Sequence, residues 1–177
     1  MPWYSVRIFF FLFVFNDVLS YAGSIAWQGH TRVSFMSSSQ ISPEKVGAYH
    51  ATSFRLGDTG ADIILKIGIL SPPVIALFRT RQVACGAFVT AFNPYGVQQS
   101  DAENERAHAR LLNQVASMGL PFMEGSGGED GFDWPAERSL FVLGLVLPDA
   151  EKLGQLFEQD AIVWVGADGT PQLILLR

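Results

Sequence analysis

The sequence predicts a single α/β domain, with a mixed β-sheet of about five to seven strands and three principal helices. Three observations carry this. From Asp62 onward, short apolar runs alternate with stretches of helical periodicity, the pattern from which α/β layers are built. The 177 residues suffice for one domain with a real core, and no repeat or linker interrupts them after Met36. Apolar residues make up 49% of the chain and charged ones 16%, which is not the composition of a disordered protein.

Composition also bounds function. The net charge is -5 and the Lys and Arg residues are scattered, with no basic run. A nucleic-acid surface needs clustered cations to displace counterions, so no nucleic-acid partner is expected. Cys85 is the only cysteine, which excludes an internal disulfide and a multi-thiolate metal site; no metal is expected. One free thiol fits a reducing compartment or a neutral buried residue.

Residues 1–35 read differently from the rest. Ile8 to Phe15 is an unbroken apolar run behind Arg7. One reading is a signal peptide, with Ser20-Tyr21-Ala22 as a small-x-small cleavage site. Another places the true start at Met36, whose polar continuation to Lys45 looks like an ordinary N-terminus. An anchor is the third, although Asn16 and Asp17 break the run well short of the roughly twenty apolar residues a span needs. A membrane partner arises only if residues 8–27 are retained. The expectation is a cytoplasmic protein, or a secreted or periplasmic one if residues 1–22 are a genuine signal. Residues 1–35 are expected to be dispensable, 36–45 a flexible lead, and 46–177 the domain proper.

Tyr49 to Leu56 and Asp62 to Leu70 read as strands, with Gly57-Asp-Thr-Gly60 as their hairpin turn. Ile63, Ile64, Leu65, Ile67 and Ile69 make the second strand mostly apolar, which predicts a central position. Ser71 caps a helix with Pro72 at its first position and Val74, Leu77, Phe78 and the stem of Arg81 inward. Cys85 to Phe92 is the next strand, and strand–helix–strand predicts a parallel pair. Ser100 to Met118 is a helix, with Ser100 and Glu103 as a capping box and Gly119 as its stop. Its inward stripe is Asn104, His108, Leu111, Val115 and Met118. Leu120 to Phe122 reads as a short strand and Glu124 to Arg138 as a long Gly-rich loop. Ser139 to Leu147 is a buried strand. Pro148 to Glu158 is a helix with Ala150, Leu153 and Phe157 inward. Ala161 to Gly166 and Pro171 to Leu176 form a hairpin across Asp168-Gly169.

The residues that could carry chemistry gather around Asn93. Thr90 and Asn93 lie at the carboxyl end of a strand, where open α/β sheets bind ligands. The helix that follows brings its N-terminus and Asn104 to the same place, which suits a small polar or anionic ligand. The plainer reading is that Asn93 caps the loop and Asn104 bonds a backbone carbonyl. His108 is either an acid/base group near neutral pH or a hydrogen-bonded core residue. Trp134 and Glu137 flank Pro135 on the long loop, which is expected to close over the crevice, Trp134 covering a ligand and Glu137 contacting it. Trp134 could equally plug the loop onto the core. Gln159 and Asp160 read as a helix C-terminal cap, or point into the crevice. Arg106 and Arg110 read as a solvated face with Glu103. No phosphate-binding loop, His-Glu-x-x-His or Gly-x-Ser-x-Gly motif occurs, and no cofactor is expected.

Thr90-Ala-Phe-Asn-Pro94, Glu103-Asn104, Trp134-Pro-Ala-Glu-Arg-Ser139 and Phe157-Glu-Gln-Asp-Ala161 resemble a bacterial family, domain of unknown function 3293, from about Val46 to the C-terminus. The family pattern reads Phe-Gly-Gln-Asn-Ala where this chain has Glu158 and Asp160, so an amide donor is absent at 160. The resemblance implies a small cytoplasmic bacterial protein sharing Thr90, Asn93, Asn104, Trp134, Glu137, Ser139 and Gln159. It implies no activity. Two functions therefore stand. One is a binding or regulatory module for a small polar or anionic ligand or a partner protein. The other is a small enzyme acting on a nucleotide-like or other polar metabolite, with Glu137 or His108 as acid/base.

Overall fold

The computed structural model describes residues 40–57, 63–128 and 136–177. Ser42 accepts a hydrogen bond from the Lys45 N–H and Pro43 fills the first helical position, so the chain enters helix α1 (Pro43–Ala51). The expected strand from Tyr49 is thus shortened to β1 (Ser53–Leu56), which pairs antiparallel with β2 (Ile63–Leu65). The intended turn falls largely on residues 58–62, outside the described ones. Ser71 caps α2 (Pro72–Arg81), which leads to β3 (Gly86–Thr90). A single 3₁₀ turn, Pro94–Gly96, precedes α3 (Asp101–Ser117), whose capping box is formed as the sequence predicts. Then follow β4 (Phe122–Gly128), β5 (Glu137–Leu143), α4 (Leu147–Leu156), β6 (Ala161–Val165) and β7 (Pro171–Leu175).

The strands form one seven-stranded sheet among the described residues, in the order β2-β1-β4-β5-β3-β6-β7. The domain is α/β and single, but every ladder is antiparallel rather than mixed. β2 and β3 do point the same way, as a strand–helix–strand unit requires, yet β1, β4 and β5 lie between them. β2 is an edge strand and not a central one. Its apolar run ends at Leu65, because Lys66 to Ile69 turn and Gly68 takes φ 78°.

Side chains alternate strictly across the central strands and give the sheet two dry faces. On one face Ala87, Val89, Leu140, Val142 and Ile162 meet Ala107, Leu111 and Val115 of α3 and Ala150 and Leu153 of α4. On the other, Phe54, Phe88, Phe141 and Val163 meet Val74 and Phe78 of α2. Phe54 and Phe88 pack edge to face at 5.4 Å, and Phe88 and Phe141 lie 6.0 Å apart. Such pairs contribute about 0.5–1.5 kcal/mol each beyond their burial. Arg81 is exposed and takes no part in the α2 stripe.

The stretch expected as a long loop is sheet at both of its described ends, residues 124–128 and 137–138, and residues 129–135 lie outside the described ones. Gly125, Ser126, Gly127 and Gly128 lie in β4; the first three are paired on both sides, with β1 and β5, and Gly128 is paired with β1. Gly125 is there for clearance. A Cβ on Gly125 would stand 2.5 Å from the Arg55 carbonyl oxygen and 2.7 Å from Phe88 Cζ. Only the absence of a side chain lets the backbone pass so close. Among the described residues, no helix is long and apolar enough to cross a membrane.

Candidate functional site

At the end of β3 the chain must turn out of the sheet, and Asn93 does so in the left-handed region at φ 49° and ψ 63°. Asn is one of the few side-chain-bearing residues that tolerates this. Two backbone donors then fix every amide around it. The Asn93 N–H donates to Asn104 Oδ1 at 2.9 Å, so Asn104 must present its Nδ2 to Asn93 Oδ1, at 3.1 Å. The Gln99 N–H donates to the same Asn93 Oδ1 at 2.9 Å. A backbone N–H cannot reverse its role, so both amides are locked in one orientation. Asn93 Nδ2 is left facing Glu137, and it donates to Glu137 Oε1 at 2.6 Å. The relay Asn104–Asn93–Glu137 thus demands an acceptor at 137, and a carboxylate supplies a strong one. Asn93 and Asn104 are buried, at 7% and 6% exposure.

Glu137 faces a cavity of about 460 Å³ between α1 and the sheet. Phe54, Phe88, Phe92 and Val163 form its apolar surface, and Gly127 and Gly128 line it without side chains. Thr90, Asn93, Ser139, Gln159, Asp160, Tyr49 and Lys45 add polar groups. Thr90 is spent on the strand end: its hydroxyl donates to the Arg138 carbonyl at 2.8 Å and accepts from the Phe92 N–H at 3.0 Å. Ser139 donates to the Glu137 carbonyl at 3.1 Å. Gln159 serves both roles considered for it. Its backbone N–H closes the end of α4 on the Gly154 carbonyl, while its side chain lines the cavity. The side-chain Nε2 donates to the carbonyls of Phe92 and Phe157, at 3.1 and 3.0 Å.

Sequence reasoning missed the charged end of this cavity. Asp160, buried, is paired by Lys45 from α1 and by Arg177 from the C-terminus. Burial pushes the Asp160 carboxyl up, but hydrogen bonds and charge from Lys45 and Arg177 outweigh it and hold the carboxyl below its usual range. Tyr49 is pushed up by burial first and by the charges of Asp160 and Glu137 next, so its phenol stays neutral. The departure at Asp160 was visible in sequence, but Lys45 lay in a stretch read as a flexible lead.

Three expectations are corrected. The N-terminus of α3 is closed by its own capping box: the Glu103 carboxylate accepts from the Ser100 N–H at 3.0 Å and the Ser100 hydroxyl at 2.6 Å, which disfavours an anion there. His108 is only 1% exposed and packs on the α3 side of the sheet, away from the cavity-facing residues of β5. It therefore cannot act there as acid or base with Glu137. Its Nε2 lies 3.3 Å from Glu124 Oε2, close enough to feel the charge, but neither ring nitrogen has a partner in hydrogen-bond geometry. Burial, with the Arg138 charge, lowers its pKa against the opposing pull of Glu124 and Glu105. The third is the placing of Glu137 in a loop. Glu137 begins β5 and is placed by the strand ladder, opposite Gly127, while Trp134 lies outside the described residues. Among the described residues, no cluster of three or more His, Cys, Asp or Glu is placed to hold a metal.

Residues 89–162 match the model of a family described as a protein of unknown function, DUF3293. Over this span the chain is similar to that family. The DUF3293 match takes in Thr90, Asn93, Asn104, Glu137, Gln159 and Asp160, and so the whole amide relay. Lys45, Tyr49 and Phe54, which complete the cavity from α1 and β1, lie before it. No curated protein and no solved structure gives a significant match.

Proposed function

We propose that this domain is a binding module for a small organic molecule, held in the cavity between α1 and the sheet. The observation that carries this reading is the amide relay. Two buried amides, Asn104 and Asn93, are devoted to orienting one carboxylate, Glu137, that lines a cavity with an aromatic wall. Apolar enclosure with a few fixed polar groups is the common design of small-molecule sites, and about 460 Å³ is within their usual size. The ligand sits beside Asn93, but away from the α3 N-terminus. The enzyme reading loses His108 and rests on Glu137 alone, so binding is favoured.

The test is a thermal-shift screen of the full chain against a diverse small-molecule set, repeated on Glu137→Gln. A ligand that binds only the folded state raises the melting temperature. Glu137→Gln keeps an acceptor for Asn93 Nδ2, so the variant is expected to fold and to lose the ligand-induced shift. Shifts that persist unchanged in Glu137→Gln would contradict the reading.

A further inference from the structure

α1 crosses the cavity as a strap. Ile41 before it and Ser53 after it are buried, so the chain is tied down at both ends, while none of the nine residues of α1 is itself buried. Lys45, Ala48 and Tyr49 of this helix line the cavity. A segment with little buried surface opens at low cost unless something fastens it. Lys45 does so. Its ammonium pairs with one oxygen of the buried Asp160 carboxylate and donates to the Tyr95 carbonyl at 3.4 Å. The turn beneath it is shaped as a seat: Asn93 and Tyr95 take left-handed φ of 49° and 51°, and a Cβ on Gly96 would overlap the Lys45 ammonium. Backbone conformations of this kind cost free energy and collect at clamps and switches. Arg177 pairs with the other oxygen of Asp160, so this carboxylate keeps a counter-ion when Lys45 leaves. The Lys45 side chain is 33% exposed, so water can take up its ammonium on release. We propose that α1 is an ion-latched strap: the Lys45–Asp160 pair holds it down, and release of Lys45 from its seat lets α1 lift and widens the entrance to the cavity. What the strap admits rests on the binding reading; the latch itself is visible without a ligand.

The experiment uses the full chain and a small neutral nitroxide, 4-hydroxy-TEMPO, as a probe of access. Its relaxation effect is read at the Phe88 ring and the Gly127 and Gly128 amides, which line the cavity, with the buried Val142 as reference. Lys45→Met is expected to raise the effect at the cavity positions by about twofold or more, as a local opening does, and to leave Val142 unchanged. Gly96→Ala should act in the same direction while keeping the Lys45 charge. Raising salt from about 0.1 to about 1 M shortens the screening length from roughly 10 to roughly 3 Å. This should raise the effect in the wild type and do nothing in Lys45→Met. Should one variant fail to fold, the other and the wild-type salt series decide. An unchanged effect in Lys45→Met overturns the latch, as does a rise that includes Val142, which marks general loosening. A strap that releases as described, in a protein for which the thermal-shift screen finds no ligand, would leave the latch standing and remove the binding reading. Screening hits that enter wild type and Lys45→Met at equal rates would do the reverse.

Discussion

Glu158 takes φ 55°, a left-handed conformation at the end of α4, and its N–H and that of Gln159 close the helix on the Gln155 and Gly154 carbonyls. This is the helix-ending motif in which glycine is favoured, and it is where the resembling family pattern carries Gly. A side chain there costs about 1 kcal/mol, so Glu158→Gly is expected to raise stability by roughly 0.5–1 kcal/mol in urea unfolding. A loss of stability would show that Glu158 makes a compensating contact. His108 gives a second residue-scale prediction. Its folded pKa is lowered, so the unfolded chain takes up the proton first as pH falls below the ordinary value of 6.5. The stability it contributes is complete above that value and is lost as pH falls towards its lowered folded value. Denaturation midpoints between pH 5 and 8 should decline towards acid in the wild type and decline less in His108→Leu; equal slopes would remove His108 as the cause. At this scale much was legible. The helical stripe placed Asn104 and His108 inward, and both are buried. The approach of Glu137 to Asn93 was legible too, although from a loop and not from the strand that holds it; what was not legible was Glu124 beside His108, because it arrives from β4.

At the scale of elements, helices were read well where capping residues announce them, as Ser71-Pro72 and Ser100 to Glu103 do. α1 was under-read although Ser42-Pro43 carries the same signal, because none of its residues is buried and no apolar stripe marks it. β4 was missed for the opposite reason. Glycine is a poor strand former in isolation, and Gly125 makes sense only against Arg55 and Phe88, which the folded sheet brings beside it. Gly125→Ala is accordingly expected to cost about 1–3 kcal/mol through overpacking, read as a lower melting temperature. A neutral effect would mean that β1 can shift away from β4. α1 itself is attached by polar contacts, among them Lys45 to Asp160 and the Lys66 ammonium to the Ala51 carbonyl at 2.8 Å.

For the whole molecule, the alternation of elements was enough to predict a single α/β domain, but not the order in which the strands lie. Strand order depends on non-local pairing. The β2–α2–β3 crossover spans three intervening strands that the chain has yet to make or has already made, and no local pattern encodes that choice. The consequence is functional. Inserting β4 and β5 beside β1 brings Glu137, Phe88 and Phe54 to line one cavity, with one face of the antiparallel sheet as its wall. On the proposed binding function, this cavity, and not another surface, receives the ligand. A fragment screen of the uniformly ¹⁵N-labelled full chain, followed by amide resonance shifts, tests it most directly. Hits are expected to perturb Thr90, Gly127, Gly128 and Gln159 together, and Glu137→Gln to suppress those shifts. Hits that gather instead on the groove of Pro94, Arg110 and Leu156 on the α3 and α4 side, leaving Gly127 and Gln159 unmoved, would contradict it.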